Sequence, residues 1–290
     1  MLRALLRFVL PFGLLAAALS CAPPAGVKGT APQRIVSLTP ALTEILFAVG
    51  AGDRVVGVTQ YCDFPPAAKT KPKVGGYMNP SVEAVLALKP DLVLVSPGPG
   101  NRDSALALRR AGLRLEILPA ETLEESLAAI EGVARLVGDE ATGRDLAATV
   151  RARLDAVTKR VAGTPRVRTL FCLQTDPIIA AGRDTLPSQL LELAGGSNVV
   201  DAVRYPRLDV EAVAAARPEL ILQARMDVAN GAAHDESAFW HRWSSIPAVA
   251  SGRVIVLPDD LALRPGPRVA DAAEELAAIL HGEPAGAAAR

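Results

Sequence analysis

Apolar and polar positions follow two rhythms along this chain. Short runs of β-branched and apolar residues at Arg34–Leu38, Val55–Val58, Leu92–Val95 and Leu115–Leu118 read as strands. Between and after them, Pro40–Val49, Ser81–Leu88, Asp103–Ala111 and Leu123–Val137 carry helical spacing. Regular alternation of this kind predicts a parallel sheet covered by helices. The same alternation resumes further along. Strands fit Arg166–Leu173, Glu219–Gln223 and Val254–Leu257, and helices fit Leu186–Ala194, Val210–Ala216, Phe239–Ser244 and Arg268–Leu280.

The segment between the two alternating regions behaves differently. From Asp139 to Ala162, Leu146, Val150, Leu154, Val157 and Val161 fall on one narrow helical stripe, with charges on the other faces. Gly163 and Pro165 end it. A helix over 139–162 rises about 36 Å, the width of a small domain. It reads as a bridge between two lobes, although the pattern alone also fits a surface helix of either one.

A repeat supports the two-lobed reading. Val82–Val95 (VEAVLALKPDLVLV) recurs 128 positions later as Val210–Gln223 (VEAVAAARPELILQ), identical at eight of fourteen positions. Each copy reads as an amphipathic helix, a proline break and an apolar strand, preceded by a capping residue, Ser81 or Asp209. One supersecondary unit used twice points to two similar α/β lobes enclosing a cleft.

Composition narrows the function classes. The chain has 290 residues, half of them apolar, with 31 basic and 31 acidic side chains and so no net charge. Nothing resembles the polybasic stripe that nucleic-acid binding requires. Arg3 and Arg7 stand at the start of an uncharged run, Phe8–Leu19, which is too short to span a bilayer and fits an export signal over residues 1–20. Cys21 follows small residues as in a bacterial lipoprotein signal, although Ala18 stands where leucine is usual; signal cleavage near Ala18 without lipidation is the other reading. Residues 21–33 then read as a flexible tether, and the Gly/Ala/Pro-rich 282–290 as a disordered tail. Cys62 and Cys172 fit a disulfide or two separate thiols equally well.

No catalytic constellation emerges. His234, His241 and His281 lack metal-ligand spacing, and no nucleotide-binding loop or nucleophile elbow is present. Instead, all three tyrosines of the chain, Tyr61, Tyr77 and Tyr205, fall in turn-rich segments between elements. Loops at the carboxyl ends of parallel strands line ligand crevices, and tyrosine offers a broad apolar face with a polar tip. For any one of them a loop anchor is the simpler role; three together point to a site. Asp260 and Arg264 lie in a proline-stiffened loop where they could direct ligand amides or carboxylates, or form a local ion pair. Glu83 and Glu211 hold equivalent places in the first turns of the repeated helices. The helix dipole accounts for one such carboxylate, whereas a matched pair also suits docking to a two-fold partner.

The runs RIVSLTPALTEILFAVGAGDRVVGVT, YCDFPP, KVGGYMNPSVEAVLALKPDLVLVS and DDLALRPGPR resemble the cobalamin-receptor branch of the helical-backbone (class III) periplasmic binding proteins of ABC importers. The resemblance covers Arg34 to His281. It implies an α/β fold of two lobes, each a mainly parallel sheet with flanking helices, at 34–138 and 164–281, joined by one long backbone helix at 139–163. It further implies a monomer that is not an enzyme and needs no cofactor, carrying cobalamin or a related corrinoid as transported ligand. Tyr61, Tyr77 and Tyr205 match positions whose rings pack on the corrin. Asp260 and Arg264 match polar ligand contacts, and Glu83 and Glu211 match the glutamates that engage a permease dimer. A further cleft tryptophan of that branch is replaced here by Ser96-Pro97-Gly98, and a cysteine pair of the second lobe is absent, with Ala194 at one of its places.

Relatives of the same fold keep other ligands open. Heme would take Tyr61 or Tyr77 as an axial ligand, and an anionic ferric siderophore would suit Arg204, Arg207, Arg264 and Arg268. A chelatase-like enzyme or a sensor lipoprotein that never meets a permease are readings of a different class. Export would place the chain in the periplasm, free or held to the membrane through Cys21.

Overall fold

The computed structural model describes residues 31–98, 101–224 and 236–282. The export signal, Cys21, most of the tether, His234 and the tail beyond residue 282 lie outside the described residues.

The first lobe runs β1 (Ile35–Ser37), α1 (Pro40–Ala48), β2 (Val55–Val58), α2 (Pro66–Lys69), α3 (Val82–Ala87), β3 (Leu92–Val95), α4 (Arg102–Arg110), β4 (Leu115–Ile117) and α5 (Leu123–Val137). Its four strands pair in the order β2-β1-β3-β4, all parallel. The long α6 (Glu140–Arg160) follows. The second lobe runs β5 (Val167–Thr175), β6 (Ile178–Ala180), α7 (Leu186–Leu193), β7 (Gly196–Asn198), β8 (Arg207–Leu208), α8 (Val210–Ala216), β9 (Leu220–Gln223), α9 (Pro247–Ala250), β10 (Val254–Val256) and α10 (Val269–His281). There β10, β9 and β5 are parallel, while β6 and β8 join antiparallel. The fold is the expected one, two α/β lobes with mainly parallel sheets.

The repeated segment forms the same unit in both lobes. Ser81 Oγ accepts from the Ala84 amide at 3.1 Å, and Asp209 Oδ1 accepts from the Ala212 amide at 2.7 Å, so both capping residues cap. After each helix, Lys89 (φ 46°) and Arg217 (φ 49°) turn the chain left-handed before Pro90 and Pro218. An arginine from the adjoining strand region then closes each helix end. Arg34 Nη2 donates to the Leu88 carbonyl at 2.7 Å, and Arg168 Nη2 donates to the Ala216 carbonyl at 2.5 Å. Leu88 and Ala216 are corresponding positions of the repeat, which therefore extends to a tertiary contact.

α6 packs against α5, α10 and α7. Its buried stripe (Ala147, Val150, Leu154, Val157) belongs to one continuous apolar cluster that also takes in Ile130, Leu190 and Leu276. Arg153 fixes its outer face, with Nε 3.0 Å from Glu274 and Nη2 2.6 Å from Asp271.

Two details depart from expectation. The segment expected as a helix over Phe239–Ser244 is a 3₁₀ turn, Glu236–Arg242, anchored by the fully buried Trp240, whose Nε1 donates to Gln223 Oε1 at 3.2 Å. The strands β6, β7 and β8 were not foreseen; Gly196–Asn198 has no strand-forming composition and exists because it pairs with the first half of β5. Of the two cysteine readings, separate thiols holds. Cys62 and Cys172 are buried and not bonded to each other, with Cys62 Sγ between Thr43 and Thr59. Burial pushes the Cys62 thiol up from its ordinary range. No helix among the described residues is long and apolar enough to cross a membrane.

Candidate functional site

Each tyrosine is carried by a loop with its own reason to be rigid. The Tyr77 loop is a turn closed by the pairing of Gly75 with Pro80. Gly75 sits at φ 102°, a conformation open to glycine and strained for other residues. The Tyr77 hydroxyl donates to the Pro97 carbonyl at 3.1 Å. That carbonyl is held in turn, because Ser96 N donates to Thr39 Oγ1 and Asn101 bonds both the Ser96 carbonyl (2.9 Å) and the Gly98 amide (3.2 Å). Tyr205 follows Arg204, which stands at φ 65° and bonds through its backbone to Arg183 and Gly182. Tyr61 lies beyond β2, where Gln60 N donates to the Gly75 carbonyl and Cys62 N to the Thr59 carbonyl.

These loops converge on one cleft of about 480 Å³ between the lobes, lined by Tyr61, Tyr77, Tyr205, Asp260 and Arg264 together. Thr39, Ser96 and Ala120 line it from the first lobe, and Leu186 and Pro187 from the second. Tyr61 is 40 % exposed, Met78 51 % and Tyr205 46 %, so large apolar faces stand open to solvent around the mouth. Contiguous exposed apolar surface of this kind marks a binding site on a soluble protein.

A charged cluster closes one side of the cleft. Arg264, largely buried, brings Nη1 to 2.5 Å from Asp63 Oδ1 and 3.4 Å from Glu44 Oε1, and Nε to 2.6 Å from Asp260 Oδ1. Arg268 takes both oxygens of Glu44 and lays its guanidinium over the Phe64 ring, 3.9 Å from the centroid. Burial alone would raise the Asp63 carboxyl, but the hydrogen bond and charge of Arg264 outweigh it and hold it below the usual carboxylate range. Burial works against the Arg264 charge as well, and Asp63 and Asp260 more than offset it. The guanidinium of Arg264 is thus already occupied by protein carboxylates, and Asp260, partly exposed, is the freer of the two at the cleft wall.

Across the cleft, Glu121 of the first lobe pairs with Arg204 of the second. Its own carbonyl accepts from Leu186 N at 3.1 Å, and Leu123 N donates to Gln189 Oε1 at 2.7 Å, so the lobes also meet directly here. Burial, and then the nearby Glu121 charge, push both the Tyr77 and Tyr205 phenols above their ordinary value. Three of the four arginines considered for an anionic ligand, Arg204, Arg264 and Arg268, are therefore engaged by carboxylates.

Sequence reading missed Glu44, Asp63 and Glu121. Glu44 left a signal, as the one charge in the apolar helix PALTEILFA. Glu121, next to the capping box at Thr122 and Glu125, left none. Glu83 and Glu211 are exposed in the first turns of α3 and α8, away from the cleft lining. A wider depression of about 770 Å³ lies between α5, α6 and α7, lined by Arg151, Arg166 and Glu192 among others. It is shallow and open and none of the tyrosines reaches it, so the cleft is the better candidate.

Comparison with known proteins agrees with this fold. Residues 35–261 match the family described as periplasmic binding protein. A vitamin B12-binding protein of Vibrio cholerae is 32% identical over 252 residues, covering 86% of this chain and 89% of its own. The crystal structure of the periplasmic vitamin B12-binding protein of Vibrio cholerae superposes with a TM-score of 0.75 at 31% identity, covering 88% of this chain and 99% of that one. A periplasmic heme-binding protein from Roseiflexus sp. RS-1 superposes with a TM-score of 0.77, also at 31% identity, over 89% of this chain and 100% of that one.

Proposed function

The chain belongs to the periplasmic binding protein family, and we propose that it captures cobalamin or a related corrinoid in the inter-lobe cleft and delivers it to an ABC permease. The observation that carries the ligand is the pairing of three convergent tyrosines with arginines already neutralised by carboxylates. A corrinoid has broad apolar surface and an amide-rich rim, and aromatic walls with few polar directors suit it. Heme and ferric siderophores bring carboxylates or other anionic groups, which need free cations.

In this reading Tyr61, Tyr77 and Tyr205 pack on the corrin, while Asp260 and the outward edge of Arg264 receive rim amides. Glu83 and Glu211, one per lobe and exposed, engage a permease dimer. The lobes at 34–138 and 164–281 stay joined through the helix at 139–163. The protein binds without catalysis and without a cofactor of its own, exported and held at the membrane through a lipid on Cys21.

The test is titration of the purified protein with cyanocobalamin, hemin and a ferric siderophore in parallel. Tight one-to-one binding of cyanocobalamin alone is expected. A signal from hemin or the siderophore with silence from cyanocobalamin would overturn the ligand and leave the receptor role standing.

A further inference from the structure

Among the described residues that line the cleft, Glu121 is the carboxylate paired with a residue of the opposite lobe. It lines the cavity beside Tyr77 and Tyr205, its backbone is tied to Leu186, and its side chain reaches Arg204, which stands outside the cavity lining. Among the described residues, the charged groups lining the cavity are Glu121, Asp260 and Arg264, two acids against one base. Adding Glu44 and Asp63 behind Arg264 and the paired Arg204 and Arg268 keeps the balance of these described groups at one net negative charge.

Resting on the corrinoid reading above, we propose that Glu121 sets the ligand class of the cleft: its carboxylate accepts a neutral, amide-rimmed metal chelate and turns away one that carries carboxylates or needs a tyrosinate bond to its metal. Two physical effects act in the same direction. Glu121 lines the cavity while its partner Arg204 stands outside the lining, so a ligand rim meets the carboxylate before the cation, and a second carboxylate on that rim is repelled, less strongly than by an unpaired charge. The same charge, added to burial, disfavours deprotonation of Tyr77 and Tyr205, which an iron porphyrin would require of an axial tyrosine. An amide rim suffers neither effect and can donate to Glu121. Removing the charge would also release Arg204 as a cation beside the cleft.

The experiment measures affinities for hemin and cyanocobalamin in the wild type, Glu121→Gln and Arg204→Gln. Glu121→Gln should raise the ratio of hemin to cyanocobalamin affinity by about tenfold, the size of one partly screened charge. Arg204→Gln, which leaves the carboxylate unpaired, should lower that ratio. Hemin binding no stronger in Glu121→Gln than in the wild type overturns the proposal. The arms separate the two ideas. Wild-type protein that ignores cyanocobalamin removes the ligand reading, while the hemin response to Glu121→Gln still decides the role of the charge.

Discussion

Arg268 donates two hydrogen bonds to the buried carboxylate of Glu44, Nε to Oε2 at 2.9 Å and Nη2 to Oε1 at 2.6 Å. The residues are 224 positions apart and belong to different lobes. This bidentate pair, extended by Arg264 and Asp63, joins the lobes on one side of the cleft, while Glu121 and Arg204 meet across the other. The cleft therefore owes its shape to ion pairs at its edges as well as to the apolar packing of α6.

Removing the buried acid should be costly. Glu44→Ala leaves Arg264 and Arg268 without their shared partner, and breaking a buried ion pair on one side typically costs about 3–5 kcal/mol. Urea unfolding monitored by circular dichroism should show a loss of that order. A loss under about 1 kcal/mol would mean that the arginines find solvent or Asp63 instead.

The Asp63 carboxyl gives this lock a pH dependence. Its folded-state value is depressed, so its stabilising contribution is complete above the ordinary Asp value of about 3.9 and is lost as pH falls through the lower folded value. The stability difference between wild type and Asp63→Asn should be constant from neutral pH down to that range and shrink below it. A difference that shrinks already between pH 7 and 5 would contradict the assignment.

Gly98 makes room for Tyr77. A methyl group at position 98 would overlap the Tyr77 hydroxyl and the end of its ring, so Gly98→Ala must push the ring aside and break its bond to Pro97. Stability should fall by only about 0.5–1.5 kcal/mol, the value of one hydrogen bond. The Tyr77 phenol, no longer buried, should titrate closer to its ordinary value, which ultraviolet difference titration reads directly. An unchanged tyrosine titration would place the Tyr77 ring elsewhere.

Glu83 and Glu211 separate binding from delivery. Both lie outside the cleft lining, so the double charge reversal to lysine should leave ligand affinity within about twofold and abolish uptake in cells. Uptake that survives the reversal would remove these residues from the permease interface.

What could be read from the chain followed from local chemistry. The caps at Ser81 and Asp209, the proline breaks and the apolar strands were legible because each depends on residues a few positions apart. The tyrosines were legible as a group because three rare aromatic residues all fell in loops. Glu121 and Asp63 were not, since each gains its role from an arginine in the other lobe. β7 was hidden for the same reason, being a strand through its pairing with β5 and not its composition.

The most direct test is calorimetric titration of the purified protein with cyanocobalamin beside the Tyr77→Ala/Tyr205→Ala double variant. The account predicts one-to-one binding to the wild type, weakened by about 1–3 kcal/mol for each aromatic contact removed. Wild-type affinity retained by the double variant would contradict it and place the ligand outside this cleft.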